Sequence, residues 1–141
     1  MNDLTILNEI HKGITMGMDS LENISKKTSD NEFRDDLSFQ YDTYLKTLNK
    51  VENEFKKIGR IPDDTPLNQK IMGWSGIQLN TINDTSNTNL SEILIQGYDM
   101  GVIKGIELLN KNPEASDNVK KILNEFIHIQ ENNIDRLKKF L

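Results

Sequence analysis

Apolar residues recur along this chain at steps of three and four, the spacing of helices with one buried face. Nowhere do they sustain the strict alternation of a strand. From about Leu4 to Thr28, the residues Leu7, Ile10, Ile14, Met18, Leu21 and Ser25 share one face, and Asn2 or Asp3 serves as the cap. Ser29 followed by Glu32 has capping-box spacing and opens a second helix. Its inward stripe reads Phe33, Leu37, Gln40, Tyr41, Tyr44, Leu48, Val51, Phe55 and Ile58. Gly59 then stands where a helix stops.

Arg60 to Thr65 reads as a loop. Asp64 or Thr65 caps a third, shorter helix with Pro66 in its first turn, and Leu67, Ile71, Trp74 and Ile82 mark its apolar side. Asn83 to Asn89 is polar and turn-rich. From about Leu90 to Leu109 the apolar residues lie nearly all round the helix, so it is either central or carries a subunit interface. After a loop from Asn110 to Ser116, Asp117 caps a last helix. Its face is Val119, Ile122, Leu123, Phe126, Ile129, Gln130, Asn133, Leu137 and Phe140. Lys138 and Lys139 follow in its last turn, where positive charge suits the helix dipole. The pattern predicts an all-α protein: a four-helix bundle with one extra short helix between bundle helices two and three. The 141 residues fit one helical-bundle domain over 1–141.

Composition narrows the function classes. The chain is 35% hydrophobic and 28% charged, as in a globular protein. Its net charge is -5, and Lys and Arg form no run that follows a phosphate backbone, which argues against nucleic acid as a partner. With no cysteine, disulfides, thiolate metal sites and cysteine nucleophiles are excluded. No apolar run approaches the roughly 18 residues of a membrane span, and the first residues lack the pattern of a signal peptide. The expected compartment is the cytoplasm, with no membrane partner.

The best-known chemistry of such bundles is a di-metal carboxylate centre. It needs inward Glu from two helices and Glu-x-x-His from each of the other two. This chain has only two histidines, His11 and His128, and no Glu-x-x-His. His128 falls on the side of its helix opposite Phe126, and His11 flanks the first buried stripe one turn after Leu7. Glu22 lies beside Met18 and Ser25, near the interior, whereas Glu92 and Glu107 project away from it. The inward polar residues are neutral: Gln40, Tyr44, Gln130 and Asn133. Gln130-x-x-Asn133 takes the kind of place a metalloprotein gives to Glu-x-x-His. These four are expected to form a buried hydrogen-bonded network that fixes helix register, with a polar ligand pocket as the alternative. No nucleophile elbow or phosphate-binding glycine loop is present. Trp74, the only tryptophan, reads as a core plug.

Gly97, Gly101 and Gly105 are spaced by four and form one stripe, as do Gly13 and Gly17 on the first helix. A glycine inside a helix costs about 1 kcal/mol relative to alanine. Three in one helix therefore imply close packing against another helix or an aromatic ring.

Helix order and three local spellings resemble the ferritin-like superfamily, nearest to the small bacterial bundles related to rubrerythrin. The first spelling is His11-Lys12-Gly13 through Gly17. The second is Met72-Gly73-Trp74, on the short helix before the third bundle helix. The third is Ile95-Gln96-Gly97-Tyr98-Asp99, similar to a Glu-Arg-Gly-Glu-Asp segment. The resemblance implies the fold over nearly the whole chain. Its carboxylate chemistry does not carry over, because Ile95 and Tyr98 stand at the acidic positions and Lys12 replaces the early acid.

The expected function is non-catalytic, with no metal and no cofactor, acting through self-association, as a homodimer, or through another protein. The alternatives are a metal-binding or di-metal oxidoreductase-like bundle with an irregular site, and a carrier of a small apolar ligand between helices.

Overall fold

The computed structural model describes residues 2–63 and 82–141. These form helices α1 (Asn2–Ser25), α2 (Asn31–Lys57), α3 (Asn87–Lys111) and α4 (Asp117–Leu137), and a closing 3-10 turn, Lys138–Phe140. The extra short helix expected around Leu67, Ile71 and Trp74, with its cap at Asp64 or Thr65, lies outside the described residues, as does Met72-Gly73-Trp74.

Three of these helices begin at a side chain that receives their first free N–H groups. Asp30 Oδ1 accepts from the N–H of Glu32 at 2.9 Å and of Phe33 at 3.2 Å, so α2 is capped by Asp30 and not by Ser29. Ser86 Oγ accepts from the N–H of Asn89 at 3.2 Å, which starts α3 inside the stretch read as turn. Ser116 Oγ accepts from the N–H of Val119 at 3.3 Å. Asp117, read as the cap of α4, is instead its first helical residue, where negative charge suits the helix dipole.

The end of α2 is fixed by Gly59, whose φ of 65° only glycine adopts without strain. There the N–H of Gly59 donates to Lys56 O at 3.1 Å and that of Arg60 to Phe55 O at 3.0 Å. This pair of bonds satisfies carbonyls that the helix end leaves free. The turn carries Ile58 off the buried stripe to 48% exposure, so Ile58 does not belong to the inward face.

Cross-helix contacts give the topology. Arg34 Nε donates to Ser25 O, and His11 meets Phe55, so α1 and α2 are antiparallel. Lys50 pairs with Glu125 and Asp36 with Arg136, so α2 and α4 are antiparallel. Asn87 Nδ2 donates to Asp30 Oδ2 at 2.7 Å, which brings the starts of α2 and α3 together and makes these two helices parallel. The chain therefore leaves α2 at one end of the bundle and enters α3 at the other, about 40 Å away for a 27-residue helix. Two antiparallel pairs, α1 with α2 and α3 with α4, face each other, and α3 is not a central helix.

The core is the set of stripes these pairs enclose. Ile6, Leu7, Ile10, Ile14, Leu21 and Ile24 of α1 meet Phe33, Leu37, Val51 and Phe55 of α2. Leu90 and Leu94 of α3, and Val119, Leu123, Phe126 and Leu137 of α4, complete it. Each such side chain contributes about 1.5–3 kcal/mol when fully buried. On α3 the apolar residues away from the core are left partly open: Met100 is 44% exposed, Ile103 43% and Ile106 43%.

Candidate functional site: the polar interior

Midway along the bundle the stripes turn polar, and Gln40, Tyr44, Gln130 and Asn133 are all buried. Gln40 and Tyr44 sit one turn apart on α2, facing Gln130 and Asn133 on α4, with Tyr98 entering from α3. Tyr44 Oη donates to Gln130 Oε1 at 3.0 Å. Tyr98 Oη donates to Gln40 Oε1 at 3.0 Å and accepts from Asn133 Nδ2 at 3.3 Å. Asn133 Nδ2 also donates to Thr43 Oγ1 at 3.1 Å, and Thr43 Oγ1 donates to Gln40 O at 2.6 Å. The rings of Tyr44 and Tyr98 lie 5.7 Å apart, and Phe126 stacks on Tyr44 at 6.3 Å.

The cluster is anchored at one end by a carboxylate. Gln40 Nε2 donates to Asp36 Oδ1 at 2.8 Å. Arg136 grips the same carboxylate with both arms, Nε to Oδ1 and Nη2 to Oδ2, each at 3.1 Å. The Arg136 guanidinium lies 3.8 Å over the Phe39 ring, which gives the exposed Phe39 a partner. Burial pushes the Tyr98 hydroxyl well above its usual range, with the nearby Tyr44 acting the same way, so Tyr98 keeps its proton and serves as a donor.

Gln130 does more than bond to Tyr44. It lies over Gly101 in the glycine stripe of α3, where Gly97, Gly101 and Gly105 are all buried. A Cβ at Gly101 would lie 2.1 Å from Gln130 Oε1, and one at Gly105 would lie 2.7 Å from Ile127 Cγ1. Two residues of α4 thus occupy the space that two glycines of α3 leave. Gln130 Nε2 is buried with no hydrogen-bond partner, as is Ser91 Oγ near the start of α3.

The remaining candidates lie apart from this interior. His11 is half-buried, its ring edge-on to Phe55 at 6.2 Å. Burial lowers its pKa, and Glu52 opposes that shift. His128 is exposed and its Nδ1 lies 3.3 Å from Glu131. Glu22 does not reach the interior: it lines an open groove of about 370 Å³ between α1 and α2, with Lys26, Tyr41 and Asp42. Among the described residues no three His, Asp or Glu side chains converge to hold a metal ion. No helix among them is long and apolar enough to cross a membrane.

Asp36, Tyr98, Thr43 and Arg136 complete the site and were not singled out by sequence as part of it. Asp36 and Arg136 had a detectable signal. Each lies on a polar stripe already identified, four residues before Gln40 and three after Asn133.

No protein-family model matches the chain, and no curated protein matches it. Two solved structures share its fold. One is the crystal structure of a DUF305 fragment from Deinococcus radiodurans, with a TM-score of 0.73 and 9% identity, covering 98% of this chain and 93% of that one. The other is the dodecameric thioferritin of Bacteroides fragilis, a bacterioferritin-related protein, also at 0.73 and 9%, covering 98% of this chain and 83% of that one. At such identity the likeness is one of fold: an all-helical bundle, shared with a ferritin-like protein.

Proposed function

We propose that this chain is a single-domain ferritin-like bundle with a structural interior, which acts in the cytoplasm by self-association or by contact with another protein. It has no catalytic role and no resident metal or cofactor. The observation that carries this reading is the filled interior. Where a di-metal bundle gathers Glu and His, Gln40, Tyr44, Tyr98, Gln130 and Asn133 bond to one another, and Gln130 occupies the space over Gly101. The single buried carboxylate among the described residues, Asp36, is held by Arg136 and Gln40. The network fixes helix register, because each slip would leave a buried polar group unpaired at about 1–3 kcal/mol.

Self-association, with a homodimer as its first form, draws support from the outer face of α3. Met100, Ile103 and Ile106 are partly exposed there, beside the half-buried Ile95 and Val102. Apolar residues grouped in this way mark contact surfaces more often than idle ones. One protein of the same fold, the thioferritin, is a dodecamer.

Sedimentation of the full chain across a concentration series tests the proposal. A dimer or higher assembly that Ile103→Glu dissociates supports it, and a monomer throughout refutes self-association. Metal analysis separates the proposal from an irregular metal site. Native mass spectrometry separates it from a carrier, which would retain an apolar ligand.

A further inference from the structure

Asp36 is the only charged side chain buried among the described residues. It lies where two different parts of the molecule meet. Toward the surface it is closed over by the C-terminal segment. Arg136 holds it with two bonds, Lys139 Nζ approaches to 4.0 Å while lying 3.4 Å from Glu32, and Phe140 packs edge-on to Phe33 at 4.8 Å. Toward the interior its partner is Gln40.

The chemistry of these groups gives the hydrogen bonds one direction. A carboxylate gripped by a guanidinium only accepts, so the group that Gln40 turns toward it is the Nε2 amide. That leaves Gln40 Oε1 pointing at Tyr98, which must then donate. Its hydroxyl keeps its proton, so it does. With that proton committed, the Tyr98 oxygen has only lone pairs left, and the group facing it is the Nδ2 amide of Asn133. Reversing Gln40 would set an oxygen against the carboxylate and an N–H₂ against the Tyr98 hydroxyl. Each step is thus oriented by the one before, and the first is oriented by the Asp36 charge.

We propose that Asp36 is a positioning residue which couples the C-terminal clasp to the polar interior, so that clasp and interior loosen together. The clasp consists of Arg136, Lys139 and Phe140, and the coupled interior of Gln40, Tyr98 and Asn133. This inference rests on the contacts around Asp36 and does not depend on self-association or on metal content.

The test uses the full-length protein and the variants Arg136→Met, Tyr98→Phe and their combination. Arg136 is partly exposed, so its loss leaves the apolar core intact. The readout specific to the proposal is the NMR exchange rate of the Gln40 side-chain amide and Tyr98 hydroxyl protons. Arg136→Met should speed both several-fold, although it touches neither group. Lys50→Met breaks another α2–α4 ion pair, with Glu125, and should leave both rates unchanged. In unfolding equilibria, the double variant should fall short of the product of the single effects by about threefold or more. Unchanged exchange rates in Arg136→Met, together with multiplicative effects in the cycle, would overturn the proposal. Equal acceleration by Lys50→Met would overturn it too, because any loosening of α4 would then suffice.

Discussion

Gln130 on α4 lies directly over Gly101 on α3, so close that a Cβ at Gly101 would stand 2.1 Å from its Oε1. Glutamine is flexible in solution, but this one is fully buried and bonded to Tyr44 Oη at 3.0 Å. Moving aside would cost that bond. Gly101→Leu is therefore expected to destabilise by about 1–3 kcal/mol or more through overpacking. Gly105→Ala meets one branch of Ile127 at 2.7 Å and should cost less, because the gain in helix propensity, about 1 kcal/mol, offsets part of the strain. Chemical unfolding of both variants checks the ranking.

The interior amides and hydroxyls lead to a second expectation. Asn133→Leu removes the donor to Tyr98 Oη and Thr43 Oγ1, and Tyr98→Phe removes the donor to Gln40 Oε1. Tyr98→Phe leaves the buried Gln40 Oε1 without its donor and should cost about 1–3 kcal/mol. Asn133→Leu removes two hydrogen bonds at about 0.5–1.5 kcal/mol each, with Tyr98 Oη and Thr43 Oγ1 keeping their bonds to Gln40. His128→Ala alters an exposed side chain and should stay within about 0.5 kcal/mol of the parent. Thermal melts that rank His128→Ala as the costliest of the three would contradict this facing of α4.

His11 sets a pH dependence with a definite sign. Burial lowers its pKa in the folded chain below the ordinary value of 6.5, more than Glu52 restores it. The neutral ring is thus the form the fold prefers. Its full contribution to stability is present above pH 6.5 and is lost as pH falls from there through the folded value. His11→Gln should flatten this part of the stability profile, as measured by denaturant titration at several pH values. A profile equally steep in parent and variant would show that other groups govern it.

The outer face of α3 supports an expectation about assembly. Ile103 is 43% exposed between Met100 and Ile106. Ile103→Glu should weaken any homo-oligomer seen by sedimentation while leaving the thermal midpoint of the monomer nearly unchanged. A variant that unfolds would instead assign Ile103 to the core.

Much of the architecture was legible from spacing alone, because a stripe repeating every three to four residues has only one face to bury. The stripes of α1, α2 and α4 were read in large part, but the buried Ile6, Ile24, Asp36, Thr47 and Ile127 were missed, and Ile58 is exposed. Boundaries were less legible. Ser29 and Asp30 are both good caps, and only the geometry of the turn after Thr28 selects Asp30. Ser116 and Asp117 raise the same ambiguity. The parallel arrangement of α2 and α3 was not legible, since it depends on which ends meet across the bundle. Asp36 and Arg136 each extend a polar stripe, but their pairing spans 100 residues and no local pattern reveals it. Tyr98 counted as one more apolar residue on a helix apolar nearly all round, because periodicity does not show where its hydroxyl points.

The proposed interior is a structural network and not a metal centre. The most direct measurement is elemental analysis of untagged protein purified without chelators, with the parent compared to a Gln130→Leu, Asp36→Asn double variant. The expected result is no stoichiometric iron, manganese, copper or zinc in either protein, with the variant differing from the parent only in stability. One or two transition-metal ions per chain in the parent, lost in the double variant, would contradict it.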